Sequence, residues 1–365
     1  MYYDMDMVQI SDGLSHTSAC ASAAVYDKAN GLMFVTYMTG HRKSYGESTG
    51  KICLSVFCPS QPHNVRHRII DTGIGESQGL LCFAHYLIGD GKTRIMFTTS
   101  RGEPGAYYRD YDFFNDTISE RKDVFLRIDE KDVPLNKDAY KEFLDKNGLP
   151  MEKAINPIVN NVTTYNGEFY TSVTCHGVGY TILCKIKENV LEPFATHPEM
   201  TTFEFRYYIN DDGIFAVYRI PPNDHGTGHG AFTKSSDGGK TWNTTVYADG
   251  VQSRPDIIEY YGKPMFIYNY KSDKSIENFP PVHNFRNAVK IVYDGEVVFD
   301  WFTKYGVVEP ELVNICGDIY MVFSNSPQAL STENRSAWEE DGRRVEQGKE
   351  VIQWAKLGYL AGKNK

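Results

Sequence analysis

The sequence predicts an all-β chain, a six-bladed β-propeller in a single domain over residues 1–365 with a small helical insertion near 136–149. Three observations predict it. First, a phrase made of an extended apolar run, a short turn of Gly, Asp or Asn, and a second apolar run recurs six times in the 365 residues. Second, aromatics are 13% of the chain, with 25 Tyr and 20 Phe, and such side chains suit the half-buried surface of a strand. Third, 31 Gly supply turns for many short strands, while helical periodicity shows clearly in one segment.

The first phrase is TSACASAAVYDKANGLMFVTYMT (17–39), which turns at Asn30-Gly31. The second (79–101) turns at Asp90-Gly91, the third (156–175) at Asn166-Gly167 and the fourth (201–221) at Asp212-Gly213. The fifth (254–270) turns at Tyr261-Gly262 and the sixth (309–325) at Cys316-Gly317. Each reads as a β-hairpin with its turn residues in place. Further strand-like runs follow most of them: KICLSVFCPS and RHRIIDTG after the first, TILCKI after the third, AVKIVYDGEVVFD after the fifth. The spacing is irregular, roughly 45–75 residues, which is the range of four-stranded blades. Either EVIQWAKLGYL or the N-terminal MDMVQI is expected to complete a blade and close the ring. NKDAYKEFLDKNGL (136–149) places Tyr140, Phe143 and Leu144 on one face and stops at Gly148, so it reads as a helix inserted in the second blade. The polar stretch STENRSAWEEDGRRVEQGKE (331–350) reads as a surface loop or frayed helix of the last blade.

Composition narrows the function. The formal net charge is −9 with no long basic block, which argues against nucleic-acid binding. No apolar run is long enough to cross a bilayer, and MYYDMDMVQISDG lacks the basic and apolar regions of a signal peptide. The expectation is a cytoplasmic protein, although a secreted one trimmed of its leader would read the same. The seven cysteines form no Cys-x-x-Cys pair and mostly sit in apolar runs, so buried reduced thiols are expected and a zinc site is not.

SSDGGKTW (235–242) stands between two strand-like runs. Ser and Asp side chains bond the local backbone, Gly238 and Gly239 accept positive φ, and Trp242 buries a ring on the strand leaving the turn. This is punctuation rather than catalysis. Motif and repeat together resemble the sialidase superfamily, whose propellers carry this Asp-box, or BNR, sequence at outer turns of blades. EPELVNICGDIYMVF (309–323) is similar to the segment in which that family opens an inner strand with a Glu that assists a nucleophilic Tyr. Where the family opens its first blade with Arg-Ile-Pro, this chain has LSHTSACAS, which puts His16 there. Tyr218-Arg219-Ile220-Pro221 does occur, but at the end of a second strand.

Polar residues at the heads of inner strands and the exits of second strands converge at the mouth of a propeller. The heads offer His16, Gln78, Asn156, Arg206, Arg254 and Glu309; the exits offer Arg42, Arg101, His176, Arg219 and Tyr270. Guanidinium forks suit carboxylates and sulfates, so Arg42, Arg101, Arg206, Arg219 and Arg254 are candidate binders of an anionic sugar. The resemblance implies an acid/base carboxylate in loop 41–51, where Glu47 stands, and a Tyr beside Glu309, for which Tyr270 and Tyr45 are the candidates. His225 and His229 lie in a Gly-rich loop over the expected site.

Three readings follow. The first is a sialidase-like glycoside hydrolase exo-acting on an acidic or polar terminal sugar, with Glu47 as acid/base and Glu309 assisting a Tyr. The second is a lyase that cleaves a uronic acid linkage, with Arg neutralising the carboxylate and His16, His176 or His229 paired with a Tyr as base and acid. The third is a glycan-binding propeller without turnover. The expected partner is an anionic carbohydrate, with no nucleic acid and no membrane. No cofactor is expected, and a calcium ion in the mouth is left open.

Overall fold

The computed structural model describes residues 5–11, 18–40, 51–72, 80–99, 105–151, 156–175, 178–202, 204–220, 228–251, 253–270, 288–303, 307–325 and 351–361. The fold is all-β, a six-bladed β-propeller in class, built from six mainly antiparallel sheets. All six expected hairpins form, and each supplies the first two strands of one sheet. The chain divides into two compact units, Met1–Leu80 with Gly250–Lys365, and Leu81–Asp249.

The first unit holds the first, fifth and sixth blades. The first blade runs Ser18–Asp27, Leu32–Gly40, Lys51–Phe57, Arg66–Thr72. The fifth runs Asp256–Tyr260, Lys263–Tyr270, Ala288–Tyr293, Glu296–Phe302. The sixth runs Val307–Ile315, Asp318–Asn325 and Val351–Gly358, and Met7–Gln9 is its fourth strand. Both candidates for the closing strand are therefore used, paired Met7↔Ala355 and Gln9↔Gln353. Ser55 of the first blade donates to the Ile10 carbonyl at 2.6 Å, tying this closure to its neighbour. The core beneath it is aromatic: Trp354 stacks on Tyr320 at 4.7 Å and meets Phe57 edge-on at 5.2 Å.

The second unit holds the other three blades. The second blade comprises Leu80–Gly89, Lys92–Thr99 and Ala106–Asp112, edged by Thr117–Ile118 and Lys122–Asp123. The third comprises Pro157–Tyr165, Glu168–Cys175, Val178–Lys187 and Val190–Thr202. The fourth comprises Arg206–Asn210, Gly213–Ile220, Gly228–Ser235 and Asn243–Val251.

The insertion departs from expectation. Its helix is Lys137–Lys146, capped by the Asn136 side chain, which accepts from Asp138 N and Ala139 N. Tyr140 and Leu144 are buried as the pattern required. The hairpin before it, Phe125–Ile128 with Lys131–Pro134, extends the third blade rather than the second, because Phe125 and Leu126 pair in parallel with Val190 and Leu191. Periodicity locates a helix but not the sheet edge its leader strand will join.

The turns show why the repeats were legible. Asn166-Gly167, Tyr261-Gly262 and Cys316-Gly317 have both φ angles positive, the geometry that lets a two-residue loop follow strand twist. Two longer loops share another device. The Asp27 carboxylate accepts from the amides of Ala29 and Asn30, and that of Asp112 from Phe114 and Asn115. These bonds, with the Asn115 amide and Lys92, hold the Asp112 carboxyl down to about 2.

SSDGGKTW is likewise a turn. Asp237 accepts from the amides of Lys240 and Thr241 and from the hydroxyls of Thr241 and Ser235. Ser235 Oγ accepts from Gly239 N, and Trp242 Nε1 donates to Gly239 O. The Asp237 carboxylate, the Ser235 hydroxyl and the Trp242 indole N–H are thus all engaged within the turn. The cysteines divide: Cys53, Cys175 and Cys184 are buried as expected, but Cys58 and Cys316 are exposed at loop positions. The stretch 331–350 lies outside the described residues.

Candidate functional site

In the first unit the inner strand of the sixth blade carries the least ordinary backbone near a predicted site residue. Its register with Asp318–Asn325 runs Val307↔Asn325, Val308↔Ser324 and then Glu311↔Val322, so Glu309 and Pro310 together oppose Phe323 alone. This is a β-bulge, a device that re-aims a side chain. Glu309 there has φ +51, left-handed backbone that a residue with a Cβ adopts at a cost. Its carboxylate approaches Arg254, with Arg254 Nη1 to Glu309 Oε2 at 3.9 Å. That is an ion pair beyond hydrogen-bond reach. Arg254 is 1% exposed and the Glu309 side chain 15%. Glu309 Oε2 is buried and accepts no hydrogen bond among the described residues.

Three side chains of the fifth blade and its leading segment grip the bulged strand. Ser253 Oγ accepts from Glu309 N at 3.1 Å, Asp256 Oδ2 accepts from Leu312 N at 2.8 Å, and Asn269 Nδ2 donates to Val307 O at 2.9 Å. Asn269 Oδ1 in turn accepts from Ser253 N at 2.9 Å.

Tyr270 is not brought to Glu309. Successive side chains of a strand face opposite ways, and Asn269 takes the face toward the sixth blade. The Tyr270 hydroxyl donates to Asp300 on the outermost strand at 2.5 Å, and Lys290 Nζ lies 4.5 Å from its ring. Burial and the Asp300 carboxylate push this phenol well above its usual range, so it stays protonated.

In the second unit the fourth blade presents a different pair. Arg219 Nε meets Glu204 Oε2 at 2.7 Å, with Glu204 almost fully buried. Arg206, fully buried, heads the inner strand two residues after Glu204. Arg219 pairs with Gly230 across the sheet. A Cβ at Gly230 would lie 2.4 Å from the Tyr247 ring, so only glycine lets that ring cover the strand. His229, expected in a loop, lies on the strand Gly228–Ser235 with Nδ1 2.7 Å from Asp249 Oδ1. Deeper in the same unit His197 is fully buried, its ring about 5 Å from Phe205, Tyr218 and Trp242. Burial pulls its pKa below the usual imidazole range.

Of the other candidates, Asn156 is buried and donates to Thr99 O at 3.2 Å. His16, Arg42, Tyr45, Glu47, Gln78, Arg101, His176 and His225 lie outside the described residues. Sequence reasoning missed Glu204, Ser253, Asn269, Asp249 and Asp300. Two left a signal. Glu204 and Arg206 are two apart in TTFEFRYY, hence on one face of a strand, and Asn269 is a lone amide in the apolar run MFIYNY. Among the described residues no group of three or more His, Cys, Asp or Glu is placed to hold a metal ion. No helix there is long and apolar enough to cross a membrane.

No protein-family model matches the chain, and no curated protein matches it in sequence. Solved structures do match. A crystal structure of a protein of unknown function from Dyadobacter fermentans aligns with TM-score 0.61 at 10% identity, over 96% of this chain and 97% of that one. The Trypanosoma rangeli sialidase in complex with sialic acid aligns with TM-score 0.61 at 10% identity, over 98% of this chain and 57% of that one. A variant of the NanB sialidase from Streptococcus pneumoniae aligns with TM-score 0.56 at 12% identity, over 97% of this chain and 70% of that one. This chain thus spans a little over half of the trypanosomal enzyme. At such identity the likeness is one of fold: a sialidase-like β-propeller.

Proposed function

We propose that the chain is a carbohydrate-active enzyme, a sialidase-like glycoside hydrolase exo-acting on an acidic or polar terminal sugar. One observation carries this reading: Glu309 is held in left-handed backbone beside the buried guanidinium of Arg254, at a distance that no hydrogen bond closes. Strained backbone that aims a carboxylate at a buried guanidinium is a cost that folds retain at sites of chemistry. In this reading Arg254 binds the anionic group of the sugar and Glu309 supplies the site carboxylate. Glu47 is the proposed acid/base. Tyr270 leaves the proposal, because its hydroxyl is engaged by Asp300 on the far strand of its blade.

A second reading has its own observation. His229 is held through Nδ1 by Asp249, and Arg219, on the same blade, would exchange its Glu204 contact for the carboxylate of a uronate. That pair supports the lyase. Purified protein incubated with sialosides and acidic glycans separates the two. The hydrolase releases reducing ends without new ultraviolet absorbance, whereas elimination creates an unsaturated product that absorbs. Reducing ends lost in Glu309→Gln support the first reading. Absorbance lost in His229→Ala replaces it with the second. Binding without either product leaves a glycan-binding propeller.

A further inference from the structure

We infer that Ser253 and Asn269 are positioning residues for Glu309, clamping the bulge that aims its carboxylate at Arg254. The inference rests on the reading of Glu309 as the site carboxylate. It starts from the hydrogen-bond accounting of the bulge. Where two residues oppose one, the ladder cannot satisfy every backbone group, and Pro310 has no N–H to offer. The Glu309 N–H therefore needs an acceptor from elsewhere, and Ser253 Oγ, from the segment leading into the fifth blade, provides it. Ser253 is 1% exposed, so water does not compete for that hydroxyl.

Asn269 completes the clamp from the next strand. It is fully buried, and its amide spans two backbone groups: the N–H of Ser253 through Oδ1 and the carbonyl of Val307 through Nδ2. One side chain thus sets the distance between the serine that holds Glu309 and the start of the strand that carries Glu309. Asp256 makes a separate bond to Leu312 N beyond the bulge. The strand would stay docked without Ser253, but Glu309 would lose its grip.

A bulge needed only for shape would be served by glycine, which enters left-handed backbone without steric cost. Glutamate held there against its backbone preference argues that the side chain is what the bulge exists to place. A merely structural serine would leave the direction of that carboxylate unaffected.

The test uses the full chain and reads the backbone and the chemistry separately. In Ser253→Ala, hydrogen exchange of the Glu309 amide should accelerate roughly tenfold, as for loss of one buried hydrogen bond. The Leu312 amide should keep its protection, and Ser253→Thr should restore the Glu309 amide. Asn269→Asp, which removes the donor to Val307, should accelerate Glu309 in the same way and serves if the alanine variant fails to fold. A Glu309 amide unchanged in both variants overturns the inference. Turnover on the glycan panel is the second readout. Ser253→Ala should lower kcat with KM near the parent value, and Ser253→Thr should recover it. Unchanged kcat despite faster exchange also overturns the positioning role. If the parent protein turns over no glycan while the amides respond as stated, the clamp stands and the glycosidase reading falls.

Discussion

Two carboxylate–guanidinium pairs, one in each unit, solve opposite problems. On the fourth blade Glu204 and Arg219 are in contact at 2.7 Å, and Glu204 sits on ordinary strand-leading backbone. Between the fifth and sixth blades Arg254 and Glu309 stay 3.9 Å apart, and Glu309 bears left-handed strain. The first pair neutralises its charges by direct contact. The second keeps its charges close without letting them bond fully. In the proposed function the open pair is the one that meets a ligand, and the backbone around it keeps it open.

Four measurements break or sharpen that contrast, in falling order of effect. Arg254→Met should lower kcat/KM on an acidic glycan by about 100-fold or more, the scale of losing a preorganised charged contact; a parent-like rate would show that the open pair meets no substrate. Glu204→Ala should destabilise by about 3 kcal/mol in urea melts, because it removes the buried carboxylate that the Arg219 guanidinium contacts at 2.7 Å. Glu309→Gly should do the reverse, gaining about 1 kcal/mol by releasing strain while losing turnover. If Glu309→Gly also destabilises, the open pair is structural after all.

The smallest effect is a pH dependence confined to the second unit. His197 has its pKa lowered by burial, so below the ordinary imidazole value the unfolded chain binds a proton that the folded chain refuses. Stability should therefore fall as pH drops through about 6.5, the unfolded value, toward the lower folded one. Urea midpoints should show the decline, and His197→Phe should flatten it. An unaltered slope in that variant would assign it to other groups.

Much of the fold was legible because turns and strands are local. The dipeptides Asn166-Gly167 and Cys316-Gly317 name their own turn type, and the aromatic runs on either side name the strands. SSDGGKTW reads correctly as a turn because its Asp237, Ser235 and Trp242 side chains bond within a few residues. The site was legible only in part. Glu309 and Arg254 were candidates because each heads an inner strand. Their pairing, and the Asn269 amide that links Ser253 to Val307, join residues dozens of positions apart. The Asp300 partner of Tyr270 was hidden for a related reason: strand alternation says that Tyr270 faces away from Asn269, but not which face meets the next blade.

The sequence by itself determined the class of this protein: six hairpins, their turn geometry, one helix and an acidic chain suited to an all-β propeller. Those features depend on short-range sterics and on the period of hydrophobic side chains. Only the tertiary structure decided that the N-terminal strand closes the last blade, that the insertion edges the third blade, and that one arginine–glutamate pair closes while the other is held open. Those outcomes depend on which strand edges and buried polar groups meet across long loops. That choice follows from the total burial of the fold, which no short stretch of the chain encodes.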